Sequence, residues 1–166
     1  LREGGRDDIF YTFLPLYHMN GQCLTTITAL LAEGQMVLSD KFSASRFWDE
    51  IRKYQATQFN YLGAVIPILE KQPEKPDDID NTIKIAFGAG CPQAVMDRFE
   101  KRFGCTCMEG FGMSEIGIPI HTTLYDRRPG SCGKPLPIYE IKLVDDEDNE
   151  VPPGVPGEII FRPKEP

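Results

Sequence analysis

Residues 83–109, IKIAFGAGCPQAVMDRFEKRFGCTCME, decide the fold because they read in turn as strand, loop, helix and strand. The first five residues have strand length and hold one lysine among four apolar side chains, and residues 105–109 are strand-like again. Between them, Pro92 stands where a helix begins and Gly104 supplies a left-handed stop. The apolar face of that helix consists of Val95, Met96, Phe99 and Phe103. Two parallel strands joined by a helical crossover are therefore predicted.

The same alternation extends towards the N-terminus. The predicted elements are a strand at 9–16, a helix at 21–32, a strand at 36–38, a helix capped by Ser43 or Ser45, a strand at 57–62 and a helix at 65–71. Trp48 lies on the apolar stripe of the capped helix and is predicted to belong to the core. The pattern predicts an α/β fold with a parallel sheet and helices on both of its faces.

A different pattern begins after residue 126. Residues 127–130 read as a turn, residues 139–144 alternate between apolar and polar side chains, and residues 158–162 return as a strand. The acidic run 145–149 lacks the glycine and the final glutamate of a calcium-binding loop, which favours a solvated turn. We therefore predict an α/β subdomain at 1–126 and the beginning of a small antiparallel, β-barrel-like unit at 127–166.

Composition and charge limit the classes of partner. The chain has 166 residues, with 25 acidic and 18 basic side chains and a net charge of −7. Sequence-independent binding of nucleic acid is disfavoured because it needs a basic face. The sequence contains no apolar run of the roughly 18–20 residues that a membrane-spanning helix requires. Neither a nucleic-acid partner nor a membrane span is expected, and the oligomeric state is left open.

Five cysteines at irregular spacing fit neither a disulfide framework nor a paired zinc motif, which favours a reducing, cytoplasmic setting. Cys105 and Cys107 would point to the same face of a strand, and buried, inert thiols are favoured there over metal or redox chemistry. The charged start at 1–8 lacks the apolar block of a signal peptide. Because Leu1 is not an initiator Met and a strand without a following partner ends near Pro166, a fragment of a larger protein is expected.

Glycine-rich or polar loops follow four of the predicted strands, at residues 17–21, 62–63, 88–92 and 110–115. Ligands of an open parallel sheet bind at the carboxyl ends of its strands, and glycine lets a ligand approach the main chain closely. The loops therefore predict a ligand site at this edge. His18 would gate a pocket, meet a carboxylate or be a satisfied polar residue at a strand end, whereas His121 is expected to be structural.

The segment GFGMSE at 110–115 carries the most chemical information. Its two glycines would allow a sharp turn that presents a flat ring, a hydroxyl and a carboxylate. Phe111 could stack on a purine, Ser114 could bond a phosphate oxygen, and Glu115 could hold Mg²⁺. From spacing alone, a tight turn with a core Phe and a helix-capping Ser-x-Glu is about as well favoured.

Five segments in order along the chain carry a resemblance to a known family. They are LPLYHMNG at 14–21, FGAGCP at 87–92, GFGMSE at 110–115, GSCGKP at 130–135 and PGEI at 156–159. Together they resemble the motifs of adenylate-forming enzymes, which include acyl-CoA synthetases, nonribosomal adenylation domains and luciferases. Residues 21–23 and 41–48 further resemble the crotonobetaine/carnitine–CoA ligase branch. The chain is thus similar to part of the family's large N-terminal domain.

The resemblance implies an ATP-dependent acyl-CoA synthetase, in which a small-molecule carboxylate attacks the α-phosphorus of ATP and the thiol of CoA then displaces AMP. ATP, Mg²⁺ and CoA would be required. Phe111 would stack on adenine and Ser114 would contact phosphate. Glu115 would bind Mg²⁺ and His18 would sit at the acyl carboxylate. The other nucleotide-binding positions that the resemblance implies are Gly88, Ala89, Gly90, Cys91, Gly110, Gly112 and Met113.

Departures from the family keep alternatives open. Phe111 replaces a tyrosine and Ser114 replaces a threonine. The family's phosphate loop, ribose-binding Asp, hinge and catalytic Lys are not in the sequence. These 166 residues alone are therefore expected to be inactive. The adenylate could instead be loaded onto a carrier protein. A flavodoxin-like or receiver-type regulatory domain would share the alternation, but residues 14–16 lack the clustered Asp of a receiver. Residues 63–66 and 116–118 suggest an apolar pocket wall. A trimethylammonium substrate would instead require an aromatic cage, for which Tyr61 and Tyr17 are candidates.

Overall fold

A computed structural model describes residues 5–164 of the chain, so predictions about residues 1–4 and 165–166 lie outside the described residues. The strands are β1 (Ile9–Thr12), β2 (Gln35–Leu38), β3 (Gln58–Asn60), β4 (Ile85–Gly88), β5 (Thr106–Met113), β6 (Gly117–His121), β7 (Lys134–Pro135), β8 (Tyr139–Val144) and β9 (Glu158–Pro163). The helices are a π-helix (Asn20–Ile27), α1 (Thr28–Leu31), α2 (Phe47–Tyr54), α3 (Val65–Glu70) and α4 (Gln93–Phe103).

The described residues form one large sheet and one small one. The large sheet has the order β2–β1–β3–β4–β5–β6–β7. Its strands from β2 to β5 are parallel, whereas β6 and β7 are added antiparallel. The hairpin β8–β9 is a separate antiparallel sheet. The predicted α/β class with a following antiparallel unit is confirmed. The division at residue 126 stays a prediction, and β7, which follows that residue, pairs within the large sheet.

The two faces of the large sheet are covered by different helices. The principal core lies on the face covered by α2, α3 and α4, where the largest fully buried side chains include Tyr11, Phe47, Phe59, Tyr61 and Phe99. On the opposite face, Leu24 of the π-helix packs against Phe87 and Met108. Alternation along β4 explains the separation, because successive side chains of a strand point to opposite faces. Helices on both faces are therefore observed, as predicted.

Trp48 belongs to the core, as its place on the apolar stripe of α2 predicts. It is 9% exposed and stacks on Phe103 with ring centroids 4.2 Å apart. Burial of side chains of this size contributes about 1.5–3 kcal/mol each, so this contact is central to the packing of α2 on α4. Gly104 ends α4 with φ at 69°, which confirms the predicted left-handed stop.

The first helix begins as a π-helix rather than as the predicted α-helix. Thr26 donates a hydrogen bond from its hydroxyl to the carbonyl of Gly21, five residues earlier, at 2.9 Å. The hydroxyls of Thr25 and Thr28 likewise reach carbonyls five residues back. A Cβ on Gly21 would lie 2.5 Å from the Pro15 carbonyl oxygen, so glycine permits this wide helix to approach the preceding loop. Apolar residues at helical spacing are compatible with both an α-helix and a π-helix, so this pattern does not distinguish them.

Two other predicted local features are wrong. Neither Ser43 nor Ser45 caps α2, which begins after Arg46, and the two serine hydroxyls lie 3.3 Å from each other instead. The predicted strand at 9–16 ends at Thr12, because the Thr12 hydroxyl accepts the backbone N–H of Leu14 at 3.1 Å and diverts the chain from the ladder.

Strand β5 is longer than predicted and contains the first part of the GFGMSE segment. Its first half pairs with β4 and its second half with β6, with an irregular register between Phe111 and Met113. The sharp bend expected at the glycines is therefore wrong, and the chain turns after Met113, where the Ile116 N–H donates to the Met113 carbonyl at 3.2 Å. A Cβ on Gly112 would overlap the backbone of β6 at Gly117. The glycine permits close strand packing.

Candidate functional site

A cavity of about 290 Å³ opens at the carboxyl edge of the parallel strands, where ligands of such sheets bind. Its lining comes from the loops after β1, β3 and β4, from the π-helix, and from β4, β5, β6 and the turn between the last two strands. Its walls are largely apolar and include Leu14, Leu24, Leu62, Phe87, Met113 and Ile118. The topology therefore brings the loops singled out in the sequence to one cleft.

The structure brings most of the predicted site residues to this cavity but not all of them. Those that line it are His18, Gly88, Ala89, Gly110, Gly112, Met113 and Ser114. Gly90, Cys91, Phe111 and Glu115 do not line it. The predicted set is thus divided between the cavity and the surfaces beside it.

The glycines of β5 face the cavity side. A Cβ on Gly110 would lie 2.9 Å from the Ile118 side chain and 3.0 Å from the Phe87 ring. On β4, a Cβ at Gly88 would lie 2.5 Å from the ring of Tyr61. Side chains at these positions would displace the cavity walls, so the absence of a Cβ preserves the space.

Phe111 points to the other side of β5, as the alternation of a strand requires. Its half-buried ring stacks on Phe161 of β9, with ring centroids 6.0 Å apart and an interplanar angle of 12°. It is therefore neither in the principal core nor in the apolar cavity. One strand presents bare backbone to the cavity and an aromatic ring to the hairpin.

Ser114 and Glu115 lie in the exposed turn between β5 and β6. Within residues 5–164, no hydrogen bond or ion pair engages the Glu115 carboxylate. Mg²⁺ keeps several water ligands and often takes only one or two protein carboxylates beside substrate phosphates, so a single accessible glutamate fits such an ion. No cluster of three or more His, Cys, Asp or Glu side chains able to hold a metal occurs in the part of the chain that the structure describes.

His18 lies at the mouth of the cavity in the loop after β1. Its backbone N–H donates to the Pro15 carbonyl at 3.1 Å, and its exposed ring lies 4.8 Å from that of Tyr17 between centroids. The backbone is therefore fixed by a turn while the imidazole is accessible. His121 lies in β6, where its Nδ1 is 3.0 Å from the Thr122 carbonyl.

Glu109 holds a loop beside the cavity and was not singled out from the sequence. Its Oε1 accepts the backbone N–H of Cys91 at 2.8 Å and lies 3.5 Å from the Tyr61 hydroxyl. Burial and the nearby Glu109 carboxylate raise the pKa of the Cys91 thiol to about 11. The carboxylate thus ties the loop after β4 to the start of the GFGMSE segment. A glutamate directly before that segment was the available signal.

Cys105 and Cys107 are both buried, and the five cysteines are free thiols. A hydrogen bond with Cys105, burial and nearby negative charge raise the pKa of the Cys107 thiol. Among the described residues, the helices are too short or too polar to cross a bilayer.

Comparisons with known proteins identify the family and the relatives of this chain. Residues 1–164 match the family described as AMP-binding enzyme. The chain is 41% identical over 157 residues to a medium/long-chain-fatty-acid–CoA ligase of Mycobacterium tuberculosis, with 94% of this chain and 31% of that protein covered. It is 33% identical over 159 residues to a crotonobetaine/carnitine–CoA ligase of Salmonella typhimurium, with the same coverages of 94% and 31%.

Solved structures share the fold. A benzoate CoA ligase from Burkholderia xenovorans superposes with a TM-score of 0.87 at 23% identity, covering 96% of this chain and 33% of that one. ATP-bound MatB from Rhodopseudomonas palustris superposes with a TM-score of 0.83 at 24% identity, covering 96% and 32%. The chain spans about a third of the length of the curated relatives that it matches.

Proposed function

Because the chain belongs to the AMP-binding enzyme family, we propose that its protein activates a carboxylate with ATP and transfers the acyl group to the thiol of CoA. The resemblance read from the five sequence segments is confirmed by this membership. The observation that carries the proposal is the position of β5, which puts an apolar cavity on one side and Phe111 on the other. Two substrates of different chemistry can then meet at the end of one strand.

The residues would divide the work as follows. Phe111 supplies a ring against which adenine stacks, and residues 88–91 contribute backbone to the nucleotide and acyl sites. The hydroxyl of Ser114 donates to a phosphate oxygen, while Glu115 holds Mg²⁺, which neutralises phosphate charge when bound. His18 faces the carboxylate at the cavity mouth. Catalysis then depends on positioning and charge stabilisation rather than on a protein nucleophile.

We further propose an aliphatic acyl group as the substrate. The cavity shares Leu24, Phe87 and Ile118 with a second, mainly apolar cavity of about 450 Å³, so apolar surface continues beyond the first. A medium or long alkyl chain matches such walls. Of the two candidate cage residues, Tyr61 is fully buried and Tyr17 is 82% exposed outside the cavity lining, an arrangement that does not favour a quaternary ammonium group.

Exchange of labelled pyrophosphate into ATP tests the activity in the full-length protein that carries this chain. We expect exchange with hexanoate and palmitate but little with carnitine, and CoA-dependent release of AMP. Glu115→Gln should reduce exchange most at limiting Mg²⁺, and a matched exposed change, Glu147→Gln, should leave it unchanged. Unaltered exchange in Glu115→Gln would remove the metal-binding role.

A second comparison tests the substrate class and the acceptor. Ile118→Trp should fill space at the wall that the two cavities share and reduce exchange with palmitate much more than with acetate, whereas Ile79→Trp on the exposed surface should change neither. Transfer to a carrier protein in place of CoA would favour the alternative acceptor.

The free cysteines agree with a cytoplasmic location for this enzyme, and fractionation of cells would test that location.

A further inference from the structure

The hairpin β8–β9 contacts both ends of the segment that carries the proposed nucleotide-binding residues. At one end, Phe161 stacks on Phe111. At the other end, the Tyr139 hydroxyl donates a 2.7 Å hydrogen bond to the carbonyl of Ile116, directly after Glu115. Tyr139 also meets Phe161 edge-on, with ring centroids 6.4 Å apart and an interplanar angle of 83°. The hairpin therefore braces the segment at two points.

The register of the hairpin explains how the brace is built. Tyr139 pairs with Pro163, and Ile141 pairs with Phe161, so Tyr139 and Phe161 are diagonal neighbours on one face. Diagonal aromatic side chains of an antiparallel pair are within reach of each other. The Tyr139 hydroxyl is fixed by the Ile116 carbonyl, and its ring in turn limits the movement of Phe161.

A phenylalanine at position 111 makes this support important. A tyrosine hydroxyl can be anchored by a hydrogen bond, but a phenyl ring is oriented by its packing alone. Phe161 lies nearly parallel to Phe111 and thereby fixes the plane of that ring. An edge-on contact would not define the plane in this way.

We propose that Phe161, supported by Tyr139, is a positioning residue for the nucleotide, because it sets the ring plane of Phe111 against which adenine stacks. This inference rests on the proposed function. Phe161 acts through Phe111 and does not touch the base. Its loss should therefore weaken the use of ATP while leaving the use of the carboxylate unaltered, since the acyl cavity lies on the other side of β5.

A double-mutant cycle in the full-length protein tests the proposal. Phe161→Ala should raise the KM for ATP and the Kd for AMP about two- to tenfold, the range of an aromatic pair, with the KM for the carboxylate unchanged. Phe161→Tyr should restore both values, because it keeps the ring. In a Phe111→Ala background, Phe161→Ala should add nothing. The matched control is Ile160→Ala, a partly exposed neighbour on the opposite face of β9.

Several results would overturn the proposal. These are an unchanged KM for ATP in Phe161→Ala, an equal rise for both substrates, or the same effect with and without Phe111. A fall in the Kd for AMP would mean that Phe161 occupies the place of the base. If the wild-type protein binds AMP but shows no carboxylate-dependent exchange of pyrophosphate into ATP, the proposed function fails. Calorimetry with AMP then still tests the role of Phe161. If it binds no adenine nucleotide, both fail. Equal urea midpoints for the wild-type protein and Phe161→Ala exclude unfolding as the cause.

Discussion

Replacing Arg102 with methionine should destabilise the chain strongly, because this guanidinium fastens the loop between α3 and β4. Its Nε donates to Asp78 at 2.7 Å. Nη1 donates to the carbonyls of Glu70 and Gln72 at 2.7 and 2.8 Å, and Nη2 donates to that of Pro73 at 2.9 Å. Methionine retains much of the packing but none of these bonds.

The size of the effect follows from burial. The side chains of Arg102 and Asp78 are only 13% and 9% exposed, so removal of the arginine leaves a carboxylate and several carbonyls poorly solvated. Breaking such an ion pair costs about 3–5 kcal/mol, a large fraction of the 5–15 kcal/mol that stabilises a typical domain. The exposed pair Arg162–Glu140 provides the matched control, and Arg162→Met should leave the unfolding midpoint nearly unchanged.

The assay is urea unfolding followed by tryptophan fluorescence, since Trp48 is the one tryptophan of the chain and stacks on Phe103, the neighbour of Arg102. A decrease of less than about 1 kcal/mol in the free energy of unfolding of Arg102→Met would refute the reasoning, because the loss of an ordinary surface ion pair has an effect of that size.

The pH dependence of stability provides an independent check on the ion pair between Arg102 and Asp78. Burial alone would raise the pKa of the Asp78 carboxyl, but the Lys75 backbone N–H and the Arg102 guanidinium lower it below its ordinary value of 3.8. Such a group stabilises the fold fully above about pH 4, and this stability is lost as the pH falls through the folded-state pKa. The wild-type chain should therefore lose more stability than Arg102→Met between about pH 4 and about pH 2.

Three further predictions concern the site. Gly112→Ala should cost about 1–3 kcal/mol in urea unfolding, because its Cβ would overlap the backbone of β6, and a wild-type midpoint would contradict this packing. Glu109→Leu leaves the Cys91 N–H without its acceptor and should cost about 1–3 kcal/mol, whereas Glu109→Gln keeps a carbonyl oxygen and should remain near the wild-type midpoint. The raised pKa of Cys91, about 11, and its burial should protect it from Ellman's reagent near neutral pH, while the half-buried Cys23 and Cys132 react. Labelled peptides identified by mass spectrometry would settle which thiols react, and rapid labelling of Cys91 would refute the last prediction.

Hydrophobic periodicity predicted most of the fold because each strand and helix buries a continuous apolar surface. It failed where the deciding contact is made by the backbone or by a short polar side chain. The π-helix depends on threonine hydroxyls that bond carbonyls five residues back. Strand β6 was not predicted, since Pro119 lies in its centre and proline is rare in strands except near edges and irregularities.

The site was predicted in part for a similar reason. Loops at the carboxyl ends of parallel strands meet by topology, so His18, Gly88 and Ser114 were found together. The glycines of the GFGMSE segment were assigned to a bend because glycine permits both bends and close packing, and sequence alone does not separate the two. Glu109 was missed because its partner, the Cys91 amide, is distant along the chain.

The alternation along β5 places two separate constraints on one strand, because residues 110 and 112 leave no room for a side chain and residue 111 carries the ring that meets the hairpin. Substitutions at even-numbered residues 110 and 112 alter the apolar compartment, and those at residue 111 alter the aromatic stack with the hairpin. Under the proposed function, a change at residue 111 would act on the nucleotide side and leave the apolar cavity unaltered, because neighbouring residues of one strand face different surroundings.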